Sequence, residues 1–245
     1  MPLYKDRGVV VSGFRLGEAD KVLTILTEGR GIVRAVAKGV RKTKSRFGGR
    51  LEPLSHVALV VYEGRNLDVV NQVETITPYP SVREIPDRMA TAFGAVEAAS
   101  RTAHEKEPAP RLYRLVTAGL GGLEDLAPSV PVPPLYLTVF LLRLMDIAGL
   151  AFAVDQCAAC GSPAVERVSV AEGGALCGSC VAPATYQIGP DTLPLLAFLS
   201  AGRVAETAAR AGHHRAGDEA AAIVRRFVEY HLESRLRVPA VATRL

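Results

Sequence analysis

The strongest constraint on how this chain of 245 residues can fold comes from its cysteines, which form two Cys-x-x-Cys pairs separated by sixteen residues. The four are Cys157, Cys160, Cys177 and Cys180. Zinc prefers four thiolates in a tetrahedron, and this spacing is typical of a zinc site, with Gly161 and Gly178 to allow the turns. Four protein ligands leave no coordination position for water, so we predict one structural zinc ion. Free thiols or a redox pair are the alternative.

The segment around these cysteines, 155–185, is predicted to be a short insertion into a helical region. A segment of this length has little apolar core of its own, so metal binding would supply its folding free energy.

The chain carries no signal-like apolar segment near its N-terminus. Its longest apolar run, 135–150, is interrupted by Arg143 and Asp146 and is shorter than the roughly 20 residues that a bilayer requires. We therefore expect a soluble, cytoplasmic protein with reduced cysteines and no membrane partner.

The N-terminal part alternates short β-rich runs with turn residues, a pattern that predicts five strands. The predicted strands span 9–14, 21–27, 31–38, 54–62 and 67–74. In the third strand, period-two alternation puts Arg34 and Lys38 on one face, which we expect to be the outer one. Five such strands match an OB-fold barrel, whose second and third strands bind oligonucleotides; an SH3-like barrel is the alternative.

A basic segment at 29–51 holds eight cations and no acid. The eight are Arg30, Arg34, Lys38, Arg41, Lys42, Lys44, Arg46 and Arg50. The formal net charge of the chain is +4 and would be −4 without them, so this segment carries the whole positive excess. A concentrated positive field attracts polyanions, which predicts a nucleic-acid groove. The alternative is a solvated charged face that only keeps the protein soluble.

Single-strand binders also use aromatic side chains, on which bases stack. Phe47 lies inside the basic segment and is the preferred stacking candidate. For Phe14 and Tyr62 we weigh core packing at least equally with stacking.

After a proline-rich linker at 77–86 the hydrophobic period changes to that of helices. A run at 135–147 is apolar nearly all round, which indicates a helix in the middle of a bundle, and further helical patterns follow at 193–199 and 219–236. The predicted class is therefore α+β and multidomain. Its parts are an OB-fold domain at 1–80, a helical domain at 81–154 and 186–245, and the zinc-binding insertion at 155–185.

No motif of a hydrolase, metalloprotease or P-loop enzyme occurs, so we predict that the protein is not an enzyme. Glu124 and Asp125 form an acidic pair that is typical of a helix end rather than a nuclease centre. His213 and His214 lie in a predicted turn and His231 in the last predicted helix, where packed or solvated roles are the default.

Three stretches carry a resemblance to a known family: LGEADKVLTILT at 16–27, GIV with VAKGVR at 31–41, and KSR before LEP at 44–53. Together with the order of barrel, helices and four-cysteine insertion, they make the chain similar to the RecO family of bacterial recombination mediators. The resemblance implies an OB-fold that binds single- and double-stranded DNA and anneals complementary strands. It also implies that the protein acts with RecR to load RecA onto DNA coated by single-stranded DNA-binding protein. When bound to DNA, the protein would be associated with the nucleoid.

Residue by residue, the resemblance places the family's basic segment on Lys38, Arg41, Lys42, Lys44 and Arg46. Arg34 and Arg50 are added from charge and strand alternation. Two departures stand out: Glu52 replaces the expected glutamine, and some members of the family lack the cysteines, so annealing as such needs no metal.

Three other functions stay open at this point. One is an RNA-binding OB module with a zinc knuckle, and another is a magnesium-dependent nuclease or nucleotidyl transferase acting through the helical region. The third is a scaffold whose helical surface matters more than its groove.

Overall fold

A computed structural model of the protein describes residues 2–202, 208 and 215–236. His213, His214 and residues 237–245, all in the second part of the predicted helical domain, lie outside the described residues. The chain divides into two compact units, Met1–Pro128 and Ser129–Leu245. Whether the predicted inner limits at 80, 154 and 185 mark separate domains stays a prediction.

The first unit begins with a closed five-stranded barrel, as predicted. Its strands are β1 (Leu3–Leu16), β2 (Asp20–Thr27), β3 (Gly31–Ala37), β4 (His56–Tyr62) and β5 (Asp68–Thr77). β1 pairs with both β2 and β4, while β3 runs parallel to β5, and these pairings close the sheet in the order β1-β2-β3-β5-β4. This strand order is that of the OB-fold, a five-stranded Greek-key barrel, which the sequence predicted.

Three of the strands differ from their predicted limits by more than one residue. β1 is fourteen residues long because a β-bulge between Val10 and Ser12 bends it, so that one strand serves two partners. β4 begins only at His56, since Leu54 has a φ of 66° and leaves the extended conformation. β5 extends to Thr77, which shortens the predicted linker.

The barrel interior is filled by side chains that alternate with outward-facing ones. Leu23 and Ile25 of β2 and Val57 of β4 are fully buried there. Burying side chains of this size contributes about 1.5–3 kcal/mol each, which makes the barrel core a main source of stability.

Three helices complete the first unit: α1 (Pro80–Glu84), α2 (Pro86–Thr102) and α3 (Pro110–Glu124). α2 and α3 pack against β1, and α2 buries a face rich in alanine, which allows close approach. The carboxylate of Glu124 accepts hydrogen bonds from the amides of Ser81 and Val82 and from the hydroxyl of Ser81. Glu124 lies at the end of α3, as expected for a polar helix end, and it also caps the start of α1.

The second unit contains helices α4 (Tyr136–Ile147), α5 (Thr192–Ala201) and α6 (Arg215–His231), and a small sheet. Its strands are β6 (Arg167–Ser169), β7 (Gly174–Leu176) and β8 (Thr185–Gln187), in the order β7-β6-β8. α4 is buried over most of its surface, as its apolar sequence predicts. Within the described ranges, no helix combines the length and apolar character needed to cross a membrane.

His56 joins the barrel to α3. Its Nε2 atom lies 2.7 Å from the hydroxyl of Tyr113, its Nδ1 atom lies 3.3 Å from Oγ1 of Thr77, and its ring stacks on Tyr79. Burial, helped by the positive charge of Arg7, lowers the pKa of His56 below its ordinary value of 6.5.

We expect this histidine to make the stability of the first unit depend on pH. Because the pKa is depressed in the folded state, its contribution is complete above pH 6.5 and is lost as the pH falls through the folded-state pKa. Chemical denaturation above and below pH 6.5 measures the free energy of unfolding at each pH. On acidification this free energy should fall less for His56→Gln than for the unsubstituted protein. Equal losses in both proteins would contradict this role.

Candidate nucleic-acid interface and metal centre

The connection from β3 to β4, residues 38–55, is the basic loop of the predicted groove, and it folds onto the end of the barrel. Val40, Phe47 and Leu51 of this loop are buried in the barrel core. Further contacts fix its start: the amide of Gly39 donates to Asp20, and the amide of Arg41 donates to the carbonyl of Ala19. The loop is thus ordered and covers one end of the barrel.

Phe47 therefore does not play the predicted role in base stacking. Its side chain is 1% exposed and packs among barrel residues, so it presents no ring face to a ligand. The sequence could not show this, because an apolar residue between cations looks the same whether it faces a base or anchors the loop.

The cations of the basic loop point to solvent. The exposed ones are Lys38, Arg41, Lys42, Lys44, Arg46 and Arg50. Arg41 donates from Nη1 to the carbonyl of Glu18 at 2.7 Å, and Arg50 donates to the carbonyl of Arg46 at 3.2 Å. These carbonyls orient the two guanidinium groups without neutralising them. In the part of the chain that the structure describes, no carboxylate forms an ion pair with any of the six.

Glu52, the acid that departs from the family pattern, lies at the end of this loop. Its carboxylate is 2.8 Å from Nζ of Lys21, so its charge is paired within the barrel. The pairing limits the repulsion that this carboxylate would exert on a polyanion.

The outer face of β1, β2 and β3 continues this positive surface. Arg34 is exposed on β3 opposite Thr24 of β2, as the alternation predicted. Phe14 of β1 lies opposite Val22 of β2. Val22 in turn lies opposite Val36 of β3, which is two residues from Arg34 on the same strand. Since residues paired across antiparallel strands share a face, Phe14 and Arg34 project from the same side of the sheet.

Of the three aromatic stacking candidates, the two exposed ones are those for which core packing was weighed at least equally. Phe14 is 55% exposed and Tyr62 is 38% exposed. Phe14 lies on the face that also carries Arg34, and is therefore better placed than Phe47 to contact a base.

Two further cations, Arg65 and Lys106, line a shallow pocket with Arg34, and the sequence reasoning missed both. Arg65 lies in the predicted turn between the last two strands, which is a known binding position in OB-folds. Lys106 follows α2, and nothing in its local sequence indicates that it lies beside the barrel.

The four cysteines converge in the second unit. Their Sγ atoms all lie within 4.8 Å of one another, and Sγ of Cys160 is 3.8 Å from Sγ of Cys177. Metal–sulfur bonds of about 2.3 Å in a tetrahedron require sulfur atoms about 3.8 Å apart. The cluster therefore has the dimensions of a four-thiolate metal site, and it sits at the ends of β6 and β7.

The backbone turns that carry the thiols are tight. The amide of Cys157 donates to the carbonyl of Ser162, and the amide of Gly161, whose φ is 75°, donates to the carbonyl of Cys157. Hydrogen bonding to the backbone of Cys177 lowers the pKa of the Cys157 thiol to about 6, whereas contacts with the Cys160 and Cys177 thiols raise that of Cys180 to about 12. Four crowded thiols resist complete ionisation unless a cation compensates their charge, which fits a metal site.

Comparison with known proteins adds to this geometry. The chain matches the family model described as "Recombination protein O N terminal" over residues 1–79 and the one described as "Recombination protein O C terminal" over residues 83–239. It is 41% identical over 240 residues to the DNA repair protein RecO of Frankia casuarinae, with 97% of each chain covered.

Two further relatives agree. The DNA repair protein RecO of Streptomyces griseus is 42% identical over 247 residues, covering 97% of each chain. That of a Nocardioides species is 39% identical over 248 residues, covering 99% of this chain and 100% of the relative.

The two phenylalanines should differ sharply in their effect on stability. Phe47→Ala empties a filled core position, which costs about 3–5 kcal/mol of unfolding free energy. Phe14→Ala changes an exposed side chain and should cost less than about 1 kcal/mol. Urea denaturation of both variants measures the difference. A small effect of Phe47→Ala would contradict its role as the loop's anchor.

Proposed function

The chain belongs to the RecO family of DNA repair proteins, and on that basis we propose that it binds single- and double-stranded DNA and anneals complementary strands during recombinational repair. The observation that carries the proposal is the basic loop. Its six exposed cations are held on the barrel end by buried apolar anchors and lack carboxylate partners among the described residues.

The binding surface runs from the basic loop onto the outer face of β3. It comprises Arg34, Lys38, Arg41, Lys42, Lys44, Arg46 and Arg50. Each phosphate that these residues neutralise releases condensed counterions, so binding is tight at low salt and weakens steeply as salt rises. Phosphate contacts carry no sequence information, which suits a protein that acts on any broken DNA.

Phe14 serves as the aromatic platform in this interface. An exposed ring on the same face as Arg34 can stack on a base whose phosphate the guanidinium holds. Stacking on an aromatic side chain accepts every base, because each base has a π face.

Annealing by this surface needs no catalytic group, and we propose that the protein is not an enzyme. Two strands repel each other through their phosphates, and a protein that neutralises both lowers the barrier to their encounter. Bases held on an open outer face stay available for pairing, after which base stacking drives zippering.

One zinc ion bound by Cys157, Cys160, Cys177 and Cys180 completes the proposal. The distances between their Sγ atoms suit a tetrahedral thiolate site, and a zinc ion with four protein ligands has a structural role. Bound zinc crosslinks the two turns. The strands β6 to β8 are only three residues long each, so we expect the crosslink to be a main source of their stability.

Membership of the RecO family also supports a proposal about the proteins with which this chain acts. We propose that the protein acts with RecR and with single-stranded DNA-binding protein to load RecA, in the cytoplasm and at the nucleoid. This part of the proposal rests on the family relationship.

The first experiment follows annealing of two dye-labelled complementary oligonucleotides coated with single-stranded DNA-binding protein, without nucleotide or magnesium. We expect rapid duplex formation that slows as salt rises. Strands that bind without pairing would contradict the annealing role and favour an RNA-binding module, and degradation on addition of magnesium would favour an enzyme.

A triple variant, Lys38→Gln, Lys42→Gln and Lys44→Gln, tests the basic loop itself. Arg41 is left in place because it also holds the turn after β1. Losing three phosphate contacts should make the slope of log K against log salt for single strands shallower by about 2.

The matched control removes three cations of the first unit that lie outside this surface, by Lys5→Gln, Arg7→Gln and Arg111→Gln. It should keep the slope of the unsubstituted protein. Fluorescence anisotropy measures both variants, and equal changes in the two would remove the basic loop from the interface.

Metal analysis of the purified chain should find about one zinc ion per molecule. Cys177→Ser should release it and lower the thermal midpoint, while Ser179→Ala, a change between two of the ligands, should retain it. DNA binding should survive zinc loss, because the proposed cations all lie in the barrel domain. A metal-free chain with four freely reactive thiols would refute the zinc site.

A further inference from the structure

The shallow pocket beside β3 joins parts of the chain that are distant in sequence. Its cations are Arg30 and Arg34 from the β3 region, Arg65 from the turn between β4 and β5, and Lys106 from the connection between α2 and α3. Three of these, Arg34, Arg65 and Lys106, have exposed side chains. The pocket continues the outer face of β3, on which Arg34 already belongs to the proposed DNA interface.

The connection that carries Lys106 is held tightly against the start of β3. The amide of Ile32 donates to the carbonyl of His104 at 3.0 Å, and the amide of Ala109 donates to the carbonyl of Glu28 at 3.1 Å. A Cβ atom at Gly31 would lie 2.3 Å from the carbonyl oxygens of His104 and Glu107, so only glycine allows this approach. Lys106 therefore starts from a fixed backbone position next to the sheet.

The turn that carries Arg65 is fixed as well. Asp68 accepts the amide of Gly64 at 2.9 Å through Oδ1 and the hydroxyl of Tyr4 at 2.5 Å through Oδ2. A Cβ atom at Gly64 would lie only 1.8 Å from the carbonyl oxygen of Leu67, so a residue with a side chain does not fit here without a shift of the backbone.

Charge in the pocket is unbalanced toward the positive. Asp68 and Glu105 are the acids among its lining residues, against four cations. Both oxygens of Asp68 already accept hydrogen bonds, and Arg30 lies over the ring of Tyr4 and 3.5 Å from a carboxylate oxygen of Glu63. In the described part of the chain, neither Arg65 nor Lys106 forms an ion pair.

We propose that Arg65 and Lys106, together with Arg34, bind a backbone phosphate of the nucleic acid, and so extend the interface from the basic loop across β3 to the α2–α3 connection. This deepens the proposed function and rests on it. Two guanidinium groups and an ammonium group on fixed backbone positions suit the several oxygens of a phosphodiester. Continuity with Arg34 favours a nucleic-acid backbone over an acidic protein segment.

The test uses the full-length, zinc-loaded chain and a fluorescein-labelled oligothymidine. The variant Arg65→Gln with Lys106→Gln should bind about five- to ten-fold more weakly at low salt. Its slope of log K against log salt should be shallower by about 1.4, since each lost contact to a single strand contributes about 0.7.

Two further variants make the result specific. Lys5→Gln with Arg7→Gln removes two charges from another face, where β1 pairs with β4, and should keep the affinity and slope of the unsubstituted protein. Arg65→Lys with Lys106→Arg keeps both charges and should restore most of the binding.

The outcomes separate this inference from the proposed function. Suppose that the unsubstituted chain binds DNA and the basic-loop variant binds it more weakly, while Arg65→Gln with Lys106→Gln leaves affinity and slope unchanged. The phosphate site is then refuted and the proposed function stands. If the control variant loses as much as the pocket variant, the effect is general electrostatics and the site is also refuted. Unchanged DNA binding with lost annealing of protein-coated strands would assign the pocket to an acidic protein segment instead.

Discussion

The insertion of Val40, Phe47 and Leu51 into the barrel core is the interaction on which the rest of the first unit's surface depends. Six cations in a loop of this size repel one another, and a free loop would spread them through solvent. Hydrophobic burial opposes this repulsion and keeps the charges at one end of the barrel. The same residues close the core, so barrel stability and the shape of the charged surface share one origin.

Much of this architecture could be predicted from the sequence, because its signals are local. Period-two runs predicted the five strands, and the cysteine spacing predicted the cluster that the structure brings together. Strand ends were less predictable: the bulge at Val10 that lengthens β1 and the left-handed backbone of Leu54 that delays β4 depend on tertiary pairing. Phe47 was assigned the wrong role because burial is decided by the whole barrel.

Sequence reasoning also failed where the surface is assembled from distant segments. Arg34 could be predicted to face outward from the alternation of its own strand, whereas Lys106 joins it through hydrogen bonds between β3 and a connection after α2. The sequence pattern of neither segment indicates that the other lies beside it. The pairing of Glu52 with Lys21 is a similar case: the sequence shows an acid at the end of the basic loop, but not the distant lysine that pairs with it.

The close approach at Gly31 has a consequence for the order in which the first unit folds. Its contact partners His104 and Glu107 lie more than seventy residues further along the chain, so the contact closes a long loop and belongs to the slow, non-local part of folding. Since the β2–β3 contacts are local in sequence, we expect this hairpin to form before residues 104–107 dock on it. The cations of the 29–51 segment are close in sequence, whereas Arg34 and Lys106 line one pocket only after residues 104–107 have docked on the barrel.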